Sequence, residues 1–245
     1  MVLQTSVHQS TSHCRTTHST AKARYGIHAS NGDDAGNVVG IDIDVMNTIA
    51  TKLGCKVIVN DIDFSAILNE VENDVYAVGA AGMSKTEARD EVALASKIYA
   101  TSVQYVIAPA GTFTKDVVSI ADVVEYAIAQ GKAIGDQEAT TGSFLLEDAI
   151  VDTEATNIDY ANAIVASSDI GTTLAAVVID KLPAQAICAD NAALQCWELD
   201  EEPESYVLYF NKSATELVEK VNEILDEMIA DGTIDAFTVK HSTGN

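Results

Sequence analysis

The stretch Ala80-Ala-Gly-Met-Ser-Lys-Thr-Glu-Ala-Arg89 follows directly on the small and apolar run 75–79. A short apolar run read as a strand, feeding a glycine-containing loop, is where open α/β sheets bind ligands. Arg89 can grip a carboxylate through two parallel hydrogen bonds. Each charge-assisted bond of that kind contributes about 1.5–3 kcal/mol. Gly82 lets a ligand come close to the backbone, and the Ser84 hydroxyl adds a donor. The competing reading places Arg89 on the surface, paired with Glu87 or Glu91.

Outward from this loop, strands and helices alternate. Ile41, Val45, Met46, Ile49, Ala50 and Leu53 recur at helical spacing, with Gly54 as the stop. Lys56-Val-Ile-Val-Asn60 reads as a buried strand, residues 64–71 as a helix and residues 103–108 as a further strand. A second series follows, with a helix over 119–129, a strand over 132–135 and helices over 143–150 and 168–174. Ala175-Ala-Val-Val-Ile179 is the clearest buried strand, and Pro183 stands early in a helix running to Ile187. Ser213-Ala-Thr-Glu216 has the spacing of a capping box, before an apolar stripe ending at Gly232. Strands separated by helices imply βαβ units and mostly parallel sheets.

Two more strand ends carry chemistry. Gly135-Asp-Gln-Glu-Ala-Thr-Thr-Gly142 precedes a helix, so Thr140 and Thr141 can offer hydroxyls and a helix N-terminus to an anion, or act as helix caps. Asp180 follows the Val-Val-Ile strand and can accept from an ammonium group, or cap the Pro183 helix. Arginine and hydroxyls for a carboxylate, with an aspartate for an amine, make the minimal set for a free α-amino acid.

Composition narrows the classes. The 245 residues carry 14 Lys and Arg against 37 Asp and Glu, a net charge of −23. Nucleic acid and anionic membrane surfaces are excluded as partners by that sign. The 47% hydrophobic content is that of a folded chain. No run of apolar residues is long enough to span a bilayer. Residues 1–22 form a polar leader without the apolar core of a signal peptide, and Cys14 lacks the setting of a lipidated cysteine. His8, His13 and His18 in that leader read as solvated spacer residues rather than metal ligands. Asp42/Asp44 and Asp61/Asp63 read as complements of helix dipoles. No motif of nucleophilic, zinc or nucleotide chemistry is present, so no cofactor and no metal are expected. Cys188 and Cys196 read as buried free thiols, or as a disulfide if the protein is exported.

Seven segments in order resemble the family 3 solute-binding proteins of polar amino-acid ABC transporters, over residues 40–239. Gly40-Ile-Asp-Ile-Asp-Val45 is similar to G-F-D-x-D-(L/V), and Asp63-Phe-Ser-Ala-Ile-Leu68 to D-F-x-x-(L/I)-(L/I). Residues 81–89 resemble A-G-(M/I)-(T/S)-x-T-x-x-R, and Ala95-Ser-Lys-Ile-Tyr99 resembles F-S-x-x-Y. Residues 137–142 are similar to Q-x-G-T-T-G, with Ala139 in place of the glycine. Residues 177–184 resemble the second-lobe aspartate motif, and Asp231-Gly-Thr233 the D-G-T near the end.

The resemblance implies a periplasmic-binding-protein type II clamp of two lobes, each a mostly parallel sheet flanked by helices, with two hinge crossovers. Lobe one is expected at 23–107 plus 205–245 and lobe two at 108–204. It implies a non-enzymatic, monomeric protein outside the cytoplasm, in the periplasm or at the cell surface, that captures an amino acid between its lobes and delivers it to a membrane permease. Arg89 then holds the α-carboxylate, aided by Ser84 and by Thr140 or Thr141, and Asp180 the α-amine. Gly82 offers its carbonyl and Phe64 packs on the ligand's aliphatic part, while Ala81 and Gln137 join the set through their motifs. Two alternatives share the fold: a periplasmic dehydratase-like enzyme, for which Glu138 is the acid/base candidate, and the ligand-binding domain of a sensor or receptor. Residues 31–37 carry neither the proline nor the aromatic that the family places after its first strand.

Overall fold

A computed structural model describes residues 25–26, 31–32 and 38–242. The expected leader 1–22, its histidines and Cys14, and most of the expected first strand and loop lie outside the described residues. In chain order the described elements are β1 (Tyr25–Gly26), β2 (Asn31–Gly32), β3 (Val38–Val39), α1 (Ile41–Lys52), β4 (Val59–Asn60), α2 (Phe64–Glu72), β5 (Val78–Gly79), α3 (Glu87–Val92), β6 (Leu94–Ala95), β7 (Ala100–Ser102) and β8 (Gln104–Pro109). They continue with β9 (Val117–Val118), α4 (Ile120–Gln130), β10 (Ala133–Gln137), α5 (Thr141–Ala149), β11 (Asn157–Tyr160), α6 (Ala163–Ser168), β12 (Leu174–Asp180), α7 (Lys181–Asp190), β13 (Leu194–Leu199), β14 (Glu204–Tyr206), β15 (Tyr209–Phe210), α8 (Thr215–Ala230) and α9 (Thr233–Ser242).

The chain divides into two compact units. One takes the described residues up to Ala100 together with those from Ser205 onward, and the other runs from Thr101 to Glu204. The first crossing therefore falls at Ala100–Thr101, not near residue 108. The cause is β8, which is the middle strand of the second unit's sheet and pairs with β12 and β13 along its length.

The first unit is built on a sheet of order β4-β1-β5-β15-β6. β1 pairs in parallel with β4 and β5, whereas β15 is antiparallel to both β5 and β6. Successive residues after the second crossing alternate between two cores. Leu208 and Phe210 pack with α1 and α8 residues such as Met46, Ile49 and Leu225. Val207 and Tyr209 pack with Phe64, Ile67, Val71 and Met83. That period of two lets one short strand seal both faces of the sheet.

The second unit's sheet has the order β11-β10-β12-β8-β13-β9. β8 is antiparallel to both of its neighbours, and the remaining pairs are parallel. Both sheets are thus mixed, less parallel than the βαβ pattern predicts. Val106, Ala108 and Val178 face one core, while Tyr105, Ile107, Val177 and Ile179 face the other. Helices cover both faces, which is why residues 105–108 of β8 and 174–179 of β12 are apolar throughout.

Local chemistry moves several boundaries. The helix expected over 168–174 forms earlier, as α6, because the Asn162 side chain accepts from the Ile164 N–H and starts it there. After it, the Asp169 carbonyl collects the N–H groups of Thr172, Thr173 and Leu174, and Gly171 turns the chain at φ +89°. The capping box expected at 213–216 does not form. Asn211 takes both the Ser213 N–H and its hydroxyl, so α8 begins after Ala214 without a side-chain cap.

Candidate functional site

In the first unit, the loop after β5 is tied down from three sides. The Gly82 N–H donates to Asp42 Oδ2 at 2.7 Å, and Tyr99 donates its hydroxyl to Asp42 Oδ1. Ser84 bridges Tyr206, and the Lys85 and Val207 N–H groups close the ladder on Ser205 and Met83. Gly82 sits at φ +58°, and a Cβ there would lie 3.4 Å from the Tyr206 ring. A side chain at 82 is therefore disfavoured by conformation and crowded by its neighbour.

Arg89 belongs to α3, whose N-cap Thr86 accepts from the Arg89 N–H. It is buried, with 6% of its surface exposed, so the surface ion-pair reading does not hold. Its guanidinium donates to the Ser84 carbonyl at 2.7 Å and lies 5.5 Å from the centre of the Phe64 ring. Phe64, the first residue of α2, is buried in the core beneath it. Ser84 is buried beside Arg89, and Ala81 lies partly buried at the edge of the same core. The structure thus brings Arg89, Ser84, Gly82, Ala81 and Phe64 together in one unit. A fixed guanidinium fork, with one donor on a carbonyl, is preorganised for a planar anion.

By position in the sequence Asp42 reads as a helix-dipole complement. It is 9% exposed and serves instead as the anchor of the Gly82 loop. Burial pushes its carboxyl above the usual range, against the two donated hydrogen bonds that favour the ion. Replacing Asp42 with alanine would leave the Gly82 N–H and the buried Tyr99 hydroxyl without this acceptor. About 1–3 kcal/mol of stability should be lost for each group left unsatisfied, measured by chemical denaturation.

In the second unit, Asp180 ends β12 and is the N-cap residue of α7, but its side chain makes no capping bond. Its Oδ1 accepts from Gln104 Nε2 at 2.6 Å. The same amide reaches Glu204 Oε1 at 3.0 Å, and Thr141 donates its hydroxyl to Glu204 Oε2 at 2.6 Å. Gln104 is 2% exposed, and a Cβ on Gly142 would stand 2.7 Å from its Oε1. The glycine is what admits the amide. Gln104, Asp180, Thr141 and Glu204 are thus one polar cluster within the second unit. Gln104 and Glu204 were missed by sequence reasoning. A lone polar residue in an apolar strand was the available signal for Gln104.

Thr140 stands apart from that cluster. Its hydroxyl accepts from the Ser143 N–H and donates to the Gln137 carbonyl, which is helix capping. Gln137 is buried at the end of β10 and reaches the Ala161 carbonyl at 3.4 Å. Glu138 is exposed. Ala139 holds φ +61°, the conformation for which its glycine counterpart is suited. Ala139→Gly should stabilise the protein by roughly 1 kcal/mol, the residue of the left-handed penalty after the added chain entropy of glycine. Thermal or denaturant unfolding reads this directly.

Asp136 on β10 is fully buried, and its Oδ1 has no hydrogen-bond partner. Desolvation and the neighbouring Asp159 carboxylate push its carboxyl up to about 7. A group protonated more readily when folded gives stability that is full below its ordinary range near 3.8 and lost as pH rises through about 7. Asp136→Asn should flatten that decline, so the variant gains on the parent between pH 5 and pH 8 in denaturation midpoints.

Among the described residues, no group of three or more His, Cys, Asp or Glu is arranged to hold a metal ion, and no helix is long and apolar enough to cross a membrane.

The model of bacterial extracellular solute-binding proteins, family 3, matches residues 25–244, and the chain belongs to that family. Its members are binding proteins. An ancestral arginine-binding protein bound to arginine is 29% identical, with a TM-score of 0.81 over 93% of this chain and 100% of that one. The ancestral arginine-binding protein bound to glutamine is 28% identical, with a TM-score of 0.80 over 91% and 98%. An amino acid ABC transporter substrate-binding protein from Streptococcus pneumoniae bound to L-arginine shares the fold at 20% identity, with a TM-score of 0.80 over 93% and 98%. Comparison with curated protein sequences finds no match.

Proposed function

We propose that this chain captures a free α-amino acid outside the cytoplasm, in the periplasm or at the cell surface, and delivers it as a monomer to the permease of an ABC transporter. The observation that carries this reading is the buried Arg89 guanidinium, fixed by the Ser84 carbonyl and the Phe64 ring in the loop after β5. In this reading Arg89 takes the α-carboxylate and Ser84 and Gly82 assist it. Asp180 takes the α-ammonium, held in place by Gln104. Thr141 is favoured over Thr140 because it belongs to the polar cluster of Gln104, Asp180 and Glu204, whereas Thr140 caps α5 away from it.

L-arginine is the first ligand to try. Two structures at 28% and 29% identity are of an ancestral arginine-binding protein. The net charge of −23 favours a cationic ligand, although salt weakens that field within about 10 Å.

The test compares L-arginine with its decarboxylated and deaminated analogues by titration calorimetry. Loss of the carboxylate should weaken binding roughly 10²–10⁴-fold and loss of the amine roughly 10–150-fold. Equal affinity for all three would overturn the assignment of Arg89 and Asp180.

A further inference from the structure

Cys188 lies near the end of α7, and Cys196 is the third residue of β13. Only the segment 189–195 separates them, and it is shaped by a turn. The Leu194 N–H donates to the Asn191 carbonyl at 3.0 Å, and the Ala193 N–H to Asn191 Oδ1 at 3.1 Å. That turn brings β13 back along α7. Cys196 stands opposite Ile107 in the β13–β8 register, and both thiols pack against the core formed by Ile107, Val177 and Ile187. α7 packs directly on β13, so the two cysteines stand against the same side of that core. Both are half-buried, so a small oxidant can reach them. The other cysteine among the described residues, Cys55, belongs to the first unit.

We propose that Cys188 and Cys196 are an oxidisable pair that closes an intrachain disulfide, stapling the end of α7 to β13. The family is extracellular, and disulfides form and persist in oxidising compartments. The inference is independent of which ligand the protein takes.

The chemistry is thiol–disulfide exchange with an external disulfide as oxidant. The nearby Cys188 draws the Cys196 thiol down, while Cys196 and burial push the Cys188 thiol up. Cys196 is therefore the attacking thiolate. It displaces one thiolate from the oxidant and forms a mixed disulfide. Cys188 then gives up its proton and attacks Cys196 Sγ, expelling the second thiol. Two protein thiols are oxidised by two electrons, and one external disulfide is reduced to two thiols.

The test incubates the full chain with oxidised glutathione, then alkylates it under denaturing conditions and maps the peptides by mass. The expected result is a linked peptide pair joining Cys188 to Cys196, with Cys14 and Cys55 alkylated. Reduction should lower the thermal midpoint of the parent by about 4–8 °C and leave the Cys188→Ser and Cys196→Ser variants unchanged. Alkylation of all four cysteines, a glutathione adduct persisting on Cys196, or linkage to Cys14 or Cys55 would each overturn the proposal.

Discussion

Arg89→Ala is expected to weaken amino-acid binding roughly 10²–10⁴-fold, the loss of two charge-assisted hydrogen bonds to a carboxylate. The fold should survive. The Arg89 backbone N–H still reaches Thr86, and among the bonds the side chain gives up is that to the Ser84 carbonyl. Loss of that bond costs about 1–3 kcal/mol, which a two-unit protein of this size tolerates. Arg89→Lys separates charge from geometry. It keeps the cation but loses the planar fork and its stack on Phe64, so its affinity should fall between those of the parent and the alanine variant. Calorimetry gives the affinities and thermal unfolding the stability. Unchanged affinity in Arg89→Ala would remove Arg89 from the site.

Asp180→Ala is expected to cost roughly 10–150-fold in affinity, the value of one charge-assisted bond to the ligand ammonium. The stability readout distinguishes this from a capping role. Asp180 makes no side-chain capping bond to α7, so the helix does not depend on it. Its structural work is to accept from Gln104, a bond that Asp180→Asn can retain through its amide carbonyl. The asparagine variant should therefore keep the parent's thermal midpoint while losing most of the affinity. A fall in midpoint with unchanged affinity would mark Asp180 as structural.

Much of the fold was legible because it rests on local patterns. The unbroken apolar run of β12 and the stripe Val221, Ile224, Leu225 and Met228 of α8 state their burial outright. What escaped depends on residues far apart in the chain. β13 carries Gln195 and Glu198 among apolar residues without a regular period, and only its pairing with β8 and β9 makes it an interior strand. The first crossing was misplaced for the same reason. The apolar run at residues 103–108 reads the same in either unit until its partners are known.

The site divides in the same way. Arg89, Ser84 and Gly82 lie within one short motif and share the fixed loop after β5. Asp42 stands 40 residues from the Gly82 N–H it accepts, and no local pattern predicts that bond. Glu204 lies 100 residues from Gln104, and no local pattern marks the bond between them. Asp136 sits in a buried strand where a carboxylate is costly, and its burial follows from β10 lying between β11 and β12. Polar residues paired across long sequence separations were what the sequence concealed.

The central claim is that this chain binds a free α-amino acid. Titration calorimetry of the parent protein with L-arginine and the other common L-amino acids tests it most directly. The account predicts saturable heat with one ligand per chain for at least one of them, L-arginine first. Absence of binding by every one of them at millimolar concentration would contradict it.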